Sequence, residues 1–276
     1  MPISSRGAVS PNALSGNAGI VFNPSPKTKI NALLSTGFRA PNVDDLAKVF
    51  ESTAGSLIVP NPNLKPEYTY NYEVGVSQLF GNIARLEASA YYTQIRDAIV
   101  TDAFTLNGQS QITYNGTLSK ITANQNKRSA YIQGLNVNVF VKLNKYLQLT
   151  STINRVIGKI KNDAGGTTPL DHIPPTYGRT SLLYQSQRFQ AEFFSLYNGW
   201  KYISDYNLGG EDNQQYATAD GMPAWMTLNL RTSLDINKHL TLQAACENLL
   251  DRNYRYFASG ISAPGRNFVV TVRGRF

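Results

Sequence analysis

Cysteine is nearly absent. A single Cys246 in 276 residues excludes an internal disulfide framework and any cysteine-built zinc cluster. Histidine is almost as scarce, with only His172 and His239. No run of about 18 apolar residues occurs, so no helix can cross a membrane. The Gly165-Gly166-Thr167-Thr168 stretch lacks the lysine and spacing of a phosphate loop and reads as a turn. No nucleophile elbow surrounds a serine, so Asp171-His172 reads as surface chemistry and not as part of a hydrolytic triad. Asp44-Asp45 and Glu211-Asp212 are isolated acidic pairs and read as solvated, not as a calcium site. Nothing calls for a cofactor or resident metal. The net charge of +8 comes from dispersed lysines and arginines, which argues against a nucleic-acid partner.

Aromatic residues, by contrast, are plentiful: 16 Tyr and 12 Phe, within 42% hydrophobic residues and a mean hydropathy of -0.28. They fall in segments where polar and apolar residues alternate. In the terminal RNFVVTVRGRF, Phe268, Val270, Val272, Gly274 and Phe276 share one face. Asn267, Val269, Thr271, Arg273 and Arg275 share the other. Period two over this length is a strand whose faces meet different surroundings. The same pattern recurs at Gly16–Phe22, Ile30–Gly37, Glu67–Leu79, Ile83–Val100, Leu135–Leu143, Tyr146–Ile157, Tyr177–Tyr184, Phe189–Tyr202, Ala224–Ile236 and Leu240–Asn248. Short turns join the pairs, at NPSPKT, Gly81-Asn82, Asn144-Lys145, SQR and NKH. Long polar segments such as Phe38–Pro66 separate them.

About eleven strands, most of them ten residues or longer, are too long for a soluble sandwich and suit a membrane-spanning barrel. Glu73, Arg85, Glu87, Lys142, Arg231, Asp235 and Glu247 all fall on polar faces. Mid-strand charges opposite an apolar band fit a wet lumen and lipid outside. Short turns at one end and long loops at the other match periplasmic turns and extracellular loops. The expected fold class is therefore all-β, an antiparallel outer-membrane β-barrel. Eleven strands beginning with a descending one suit the closing half of a barrel of roughly 22 strands. The N-terminus, MPISSRGAVSPNALSG, has no signal-peptide pattern, so residues 1-276 read as the later part of a longer protein.

Four segments resemble boxes of the TonB-dependent outer-membrane receptors. Gly37-Phe38-Arg39-Ala40-Pro41-Asn42 resembles the FRAP box, and Asn61-Pro62-Asn63-Leu64-Lys65-Pro66-Glu67 resembles the NPNL box. Glu247-Asn248-Leu249-Leu250-Asp251-Arg252-Asn253-Tyr254 is similar to the segment before the last loop. Pro264-Gly265-Arg266-Asn267-Phe268, running on to Phe276, is similar to the final strand with its terminal aromatic. Weaker echoes are Tyr91–Ile99 and Ile173-Pro174-Pro175. The resemblance implies a transporter and not an enzyme: a receptor importing a scarce nutrient, with a ferric siderophore or other metal chelate favoured. It also implies a plug and a TonB contact outside this chain, and recognition of Phe276 by the barrel-assembly machinery. Histidine is absent between the first two boxes, so the resemblance does not extend to haem ligation. Two residues are candidates for ligand contact, Arg39 and Trp200. Their alternatives are an ion pair to a lumen carboxylate for Arg39, and an interface girdle for Trp200 with Tyr202 and Tyr206. A small porin and a barrel enzyme remain the rival classes.

Overall fold

The computed structural model describes residues 14–276 except 48, 54, 162–164, 209 and 211. Eleven strands form one antiparallel wall in sequence order. They are β1 (Gly16–Ser25), β2 (Thr28–Arg39), β3 (Glu67–Phe80), β4 (Ala84–Ala103), β5 (Thr117–Lys142) and β6 (Leu147–Lys161). β7 (Tyr177–Gln185), β8 (Phe189–Asn198), β9 (Trp225–Asp235), β10 (Leu240–Glu247) and β11 (Asn267–Gly274) complete it. The wall is an open sheet with β1 and β11 as its outer members.

Register carries the two-faced pattern across the whole wall. Phe22, Ile30, Val76, Ala88, Val137 and Ile153 form one continuous row, paired strand to strand. Glu73, Tyr91 and Gly134 belong to the alternate row. A Cβ at residue 134 would meet the Tyr91 ring at 2.4 Å, so glycine lets that ring lie flat across β5. The apolar rows stay exposed, as for Phe193, Val270 and Phe268. In a single-layer wall this exposure is to lipid.

The short-turn edge is stitched from turn to turn. Leu79, Lys142, Gln185, Asp235 and Arg275 each donate a backbone N–H to the turn beside them. Two turns differ from the sequence reading. Phe80 pairs with Ala84, so residues 81–83 form a three-residue turn in place of a two-residue one. Residues 143–146 form the next turn, where the Asn144 side chain accepts the N–H groups of Tyr146 and Leu147 and widens it.

Residues 101–134 hold the largest difference. β5 begins at Thr117, far above the Leu135 start that alternation suggests. The hairpin partner is a short strand, Gln111–Tyr114, closed by Asn115-Gly116 with both residues at positive φ. Asn107-Gly108 makes a second such turn between Leu106 and Gln109. Asn-Gly suits these turns because both central residues must be left-handed. Residues 38–66 are also more structured than a loop. Within them lie a one-turn helix (Val43–Ala47) and a hairpin of Phe50–Thr53 with Ser56–Ile58. The second of those strands runs parallel to β5.

These additions build a layer above the wall. Leu57, Val59, Ile121 and Ala123 make one buried cluster there, and Ala98, Ala130 and Ile160 another.

Candidate functional site

The segments that resemble family boxes form clamps at the bases of the long loops. Arg39 ends β2 and lies between two carboxylates, 2.9 Å from both Glu67 and Asp45. Burial opposes its charge, but these two partners outweigh it and raise its pKa. Asp45 also accepts from the Asn124 side chain at 2.9 Å. The Asn124 carbonyl in turn accepts from Asn61 at 2.8 Å. Asn126 closes the same seam, exchanging hydrogen bonds with the backbone of Lys65. Phe38 faces outward opposite Tyr68, whereas Pro41, Asn61 and Leu64 are buried. Ala40 is half-buried, and Pro62 and Asn63 are exposed. The first two boxes thus meet through Asp45, Asn124 and Glu67, partners separated by long stretches of chain.

The last loop is held by Asn248. Its φ of 50° is left-handed, which asparagine tolerates better than most residues. Its side chain accepts from the Arg252 N–H and donates to the carbonyls of Arg252 and Pro264. Asp251 accepts the Arg266 N–H at 2.8 Å, and Arg266 Nε donates to the Leu249 carbonyl. Gly265 permits that closure, because a Cβ there would sit 2.7 Å from the Asp251 carboxylate. The reason for glycine at 265 is therefore close approach. Tyr254 packs on Trp225 with centroids 4.3 Å apart, and Tyr256 closes the aromatic cluster.

The lumen wall pairs its charges. Arg179 meets Glu192 at 2.7 Å, and Arg231 meets Glu247 at the same distance. Both guanidinium groups also lie over the buried Phe194 ring. Lumen-facing cavities of about 370 and 320 Å³ lie beside Arg231 and between Glu73 and Glu87.

Trp200 stacks on Tyr202 at 5.8 Å, and the two line a cavity of about 340 Å³ with Arg155 and Lys159. Tyr206 does not join them. It is 4% exposed and packs edge-on against Phe257, so loop packing removes it from any interface girdle. Asp212 is likewise buried, against the expectation of a solvated pair, and accepts the N–H groups of His172 and Asn207. Lys201 lies beside this layer and donates to the Ile173 carbonyl at 2.7 Å. Burial lowers its pKa, and Asp212 and Asp205 only partly offset that. His239 lies in the turn before β10, its ring 3.0 Å from the Arg275 carbonyl. Phe276 is fully exposed at the short-turn edge.

A single wall with a charged, paired lumen and an apolar outside defines an outer-membrane β-barrel protein. The model of the TonB dependent receptor-like β-barrel matches residues 3–249, and the chain belongs to that family. Among curated relatives, the hemoglobin-haptoglobin utilization protein B of Neisseria meningitidis serogroup C is 27% identical, over 89% of this chain and 35% of its own. Transferrin-binding protein A of Neisseria gonorrhoeae is 28% identical, over 95% of this chain and 32% of its own. The chain therefore spans about a third of the length of these relatives. Among solved structures, the copper transporter OprC superposes with a TM-score of 0.73 at 20% identity, over 95% of this chain and 39% of that one. The ferric enterobactin receptor of Pseudomonas aeruginosa gives 0.68 at 16% identity, over 95% of this chain and 40% of its own. At these identities the superpositions speak for the fold.

Proposed function

We propose that residues 1–276 are the C-terminal part of the barrel of a TonB-dependent receptor that imports a metal chelate, a ferric siderophore first among them. The family membership carries this reading. The names of its relatives and structural neighbours, which mention transferrin, ferric enterobactin and copper, support a metal-bearing cargo. The two outer strand edges support further strands that close the wall, because lipid cannot satisfy unpaired backbone groups. A plug inside the closed barrel, with its TonB contact, would then couple import to the energised inner membrane. Nothing in the arrangement requires covalent chemistry of the wall.

Arg39 and Trp200 take different parts in this reading. Arg39 is held by Glu67 and Asp45, so it organises the loop base. Trp200 and Tyr202 remain exposed, but they share their cavity with Arg155 and Lys159 of the outward rows, so the pair suits an interface girdle better than a cargo contact. Phe276, exposed beyond the last strand, fits recognition by the assembly machinery.

Growth of a strain deleted for this gene tests the proposal, with iron supplied in turn as siderophore chelates, haem or transferrin. Loss of growth on a siderophore, restored by the intact gene, is the expected result. Unchanged growth on every limiting iron source overturns it. Removing Phe276 from the intact gene product should lower its outer-membrane level severalfold on immunoblots, and an unchanged level removes that residue's assembly role.

A further inference from the structure

The lysines and arginines are scattered along the sequence, yet the topology gathers many of them at the short-turn edge. Lys27, Lys145, Arg188 and Lys238 lie in the turns themselves. Lys29, Lys142 and Arg273 adjoin those turns in the lumen-side rows, and Arg275 follows just past β11. All eight are exposed. Asp235 is the one acidic side chain among them, and its carboxylate accepts from the Thr241 hydroxyl at 2.6 Å. Eight cations against one carboxylate make +7 of the net +8 of the chain. Arg85, the next cation up the wall, is paired with Glu87. Among the described residues, no ion pair uses any of the eight.

The turns do not require these charges. Asparagine and serine, at Asn144, Ser186 and Asn237, supply the turn chemistry. The backbone then fixes where the cations stand. Lys142 donates to the Ile83 carbonyl, Asp235 to that of Arg188, and Arg275 to that of His239. Successive hairpins are two strands apart, about 10 Å, so the belt runs roughly 45 Å from Lys27 to Arg275.

The placement of the cations argues against two occupants. Lipid phosphates meet the wall from outside, but the outward rows at this edge are uncharged, as at Phe80, Ala84, Tyr184, Leu234 and Val272. The cations point instead into the lumen mouth or lie in the turns below the wall. A folded acidic protein covers a compact patch of about 800 Å² with an apolar centre. The belt is long and only one turn deep.

We propose that this edge docks on an extended polycarboxylate, the peptide stems of the cell wall beneath the outer membrane. Charge complementarity and shape select that partner. Carboxylates repeated along a chain meet cations spaced at about 10 Å without a preformed pocket. Each contact is exposed and weak, so affinity comes from their number and falls with salt. The proposal uses the orientation of the barrel and not the import reading.

The test is sedimentation of the protein purified from outer membranes with cell-wall sacculi at low salt. It should pellet with native sacculi and stay in solution with sacculi whose carboxylates are converted to amides. Raising the salt severalfold should release it. K145Q/R188Q should weaken pelleting about four- to 25-fold, about two- to fivefold for each cation, and K145R/R188K should keep the parent affinity. Equal pelleting of the unaltered protein with native and amidated sacculi overturns the proposal however the variants behave. Retention at high salt does the same. Phosphatidylglycerol micelles that abolish the pelleting also overturn it, by assigning the belt to lipid phosphate. Growth on chelated iron reports the import reading separately.

Discussion

The wall and the layer above it are held together by different means. In the wall, neighbouring strands pair over long continuous registers, and side chains need only suit lipid on one side and water on the other. Few wall residues are deeply buried, Phe194 being the large apolar example. The layer above has true hydrophobic clusters, around Leu57 and Ile121, together with polar clamps at Asn61 and Asn248. The wall is therefore sensitive to which face a residue occupies, and the layer to which individual partner it loses.

The largest effect should come from breaking the face rule. Val137→Arg puts a cation on the lipid side in mid-band and should cost about 2–4 kcal/mol. Asn138→Arg, one residue away on the lumen side opposite Glu87, should stay within about 0.5 kcal/mol. Urea unfolding in phospholipid bilayers measures both, and equal costs would erase the distinction between faces.

An intermediate effect is expected in the layer. Asn248→Ala removes three hydrogen bonds to the backbone of Arg252 and Pro264 and places alanine at a left-handed φ, for about 1–3 kcal/mol. Proteolysis should then cut within residues 249–265 while the wall stays protected. Protection unchanged from the parent would show that Asn248 is not the clamp.

The smallest effect is electrostatic. Burial works to raise the Asp102 pKa, but the Lys127 contact at 2.6 Å and the Ala103 N–H win and lower it. A depressed carboxylate pKa gives stability that is present above the unfolded value of about 3.9 and lost as pH falls through the folded value. Asp102 is 48% exposed, so the contribution should be a few tenths of a kcal/mol at most. Asp102→Asn should flatten the acid side of the protease-protection curve below about pH 4. The same acid loss in parent and variant would assign it to other groups.

Legibility in the sequence divided along the same line. Alternation alone placed all eleven wall strands and both faces, because a period-two pattern reports local solvent contrast. It missed the upper part of β5, where the strand leaves the membrane and the contrast ends. The Asn115-Gly116 and Asn107-Gly108 pairs were the available signal there, since each demands left-handed backbone at two successive positions. No local pattern could show that Tyr206 and Asp212 are buried, or that Asp45 links Arg39 to Asn124.

The sequence by itself determined a two-faced wall, its turns on one side and its family boxes, because each depends on residues within a strand or turn of one another. Only the tertiary structure decided how the boxes clasp one another. It also decided that Arg179 and Arg231, on separate strands, meet over the Phe194 ring. Those features depend on register across several strands, where residues far apart in sequence become neighbours at about 5 Å spacing.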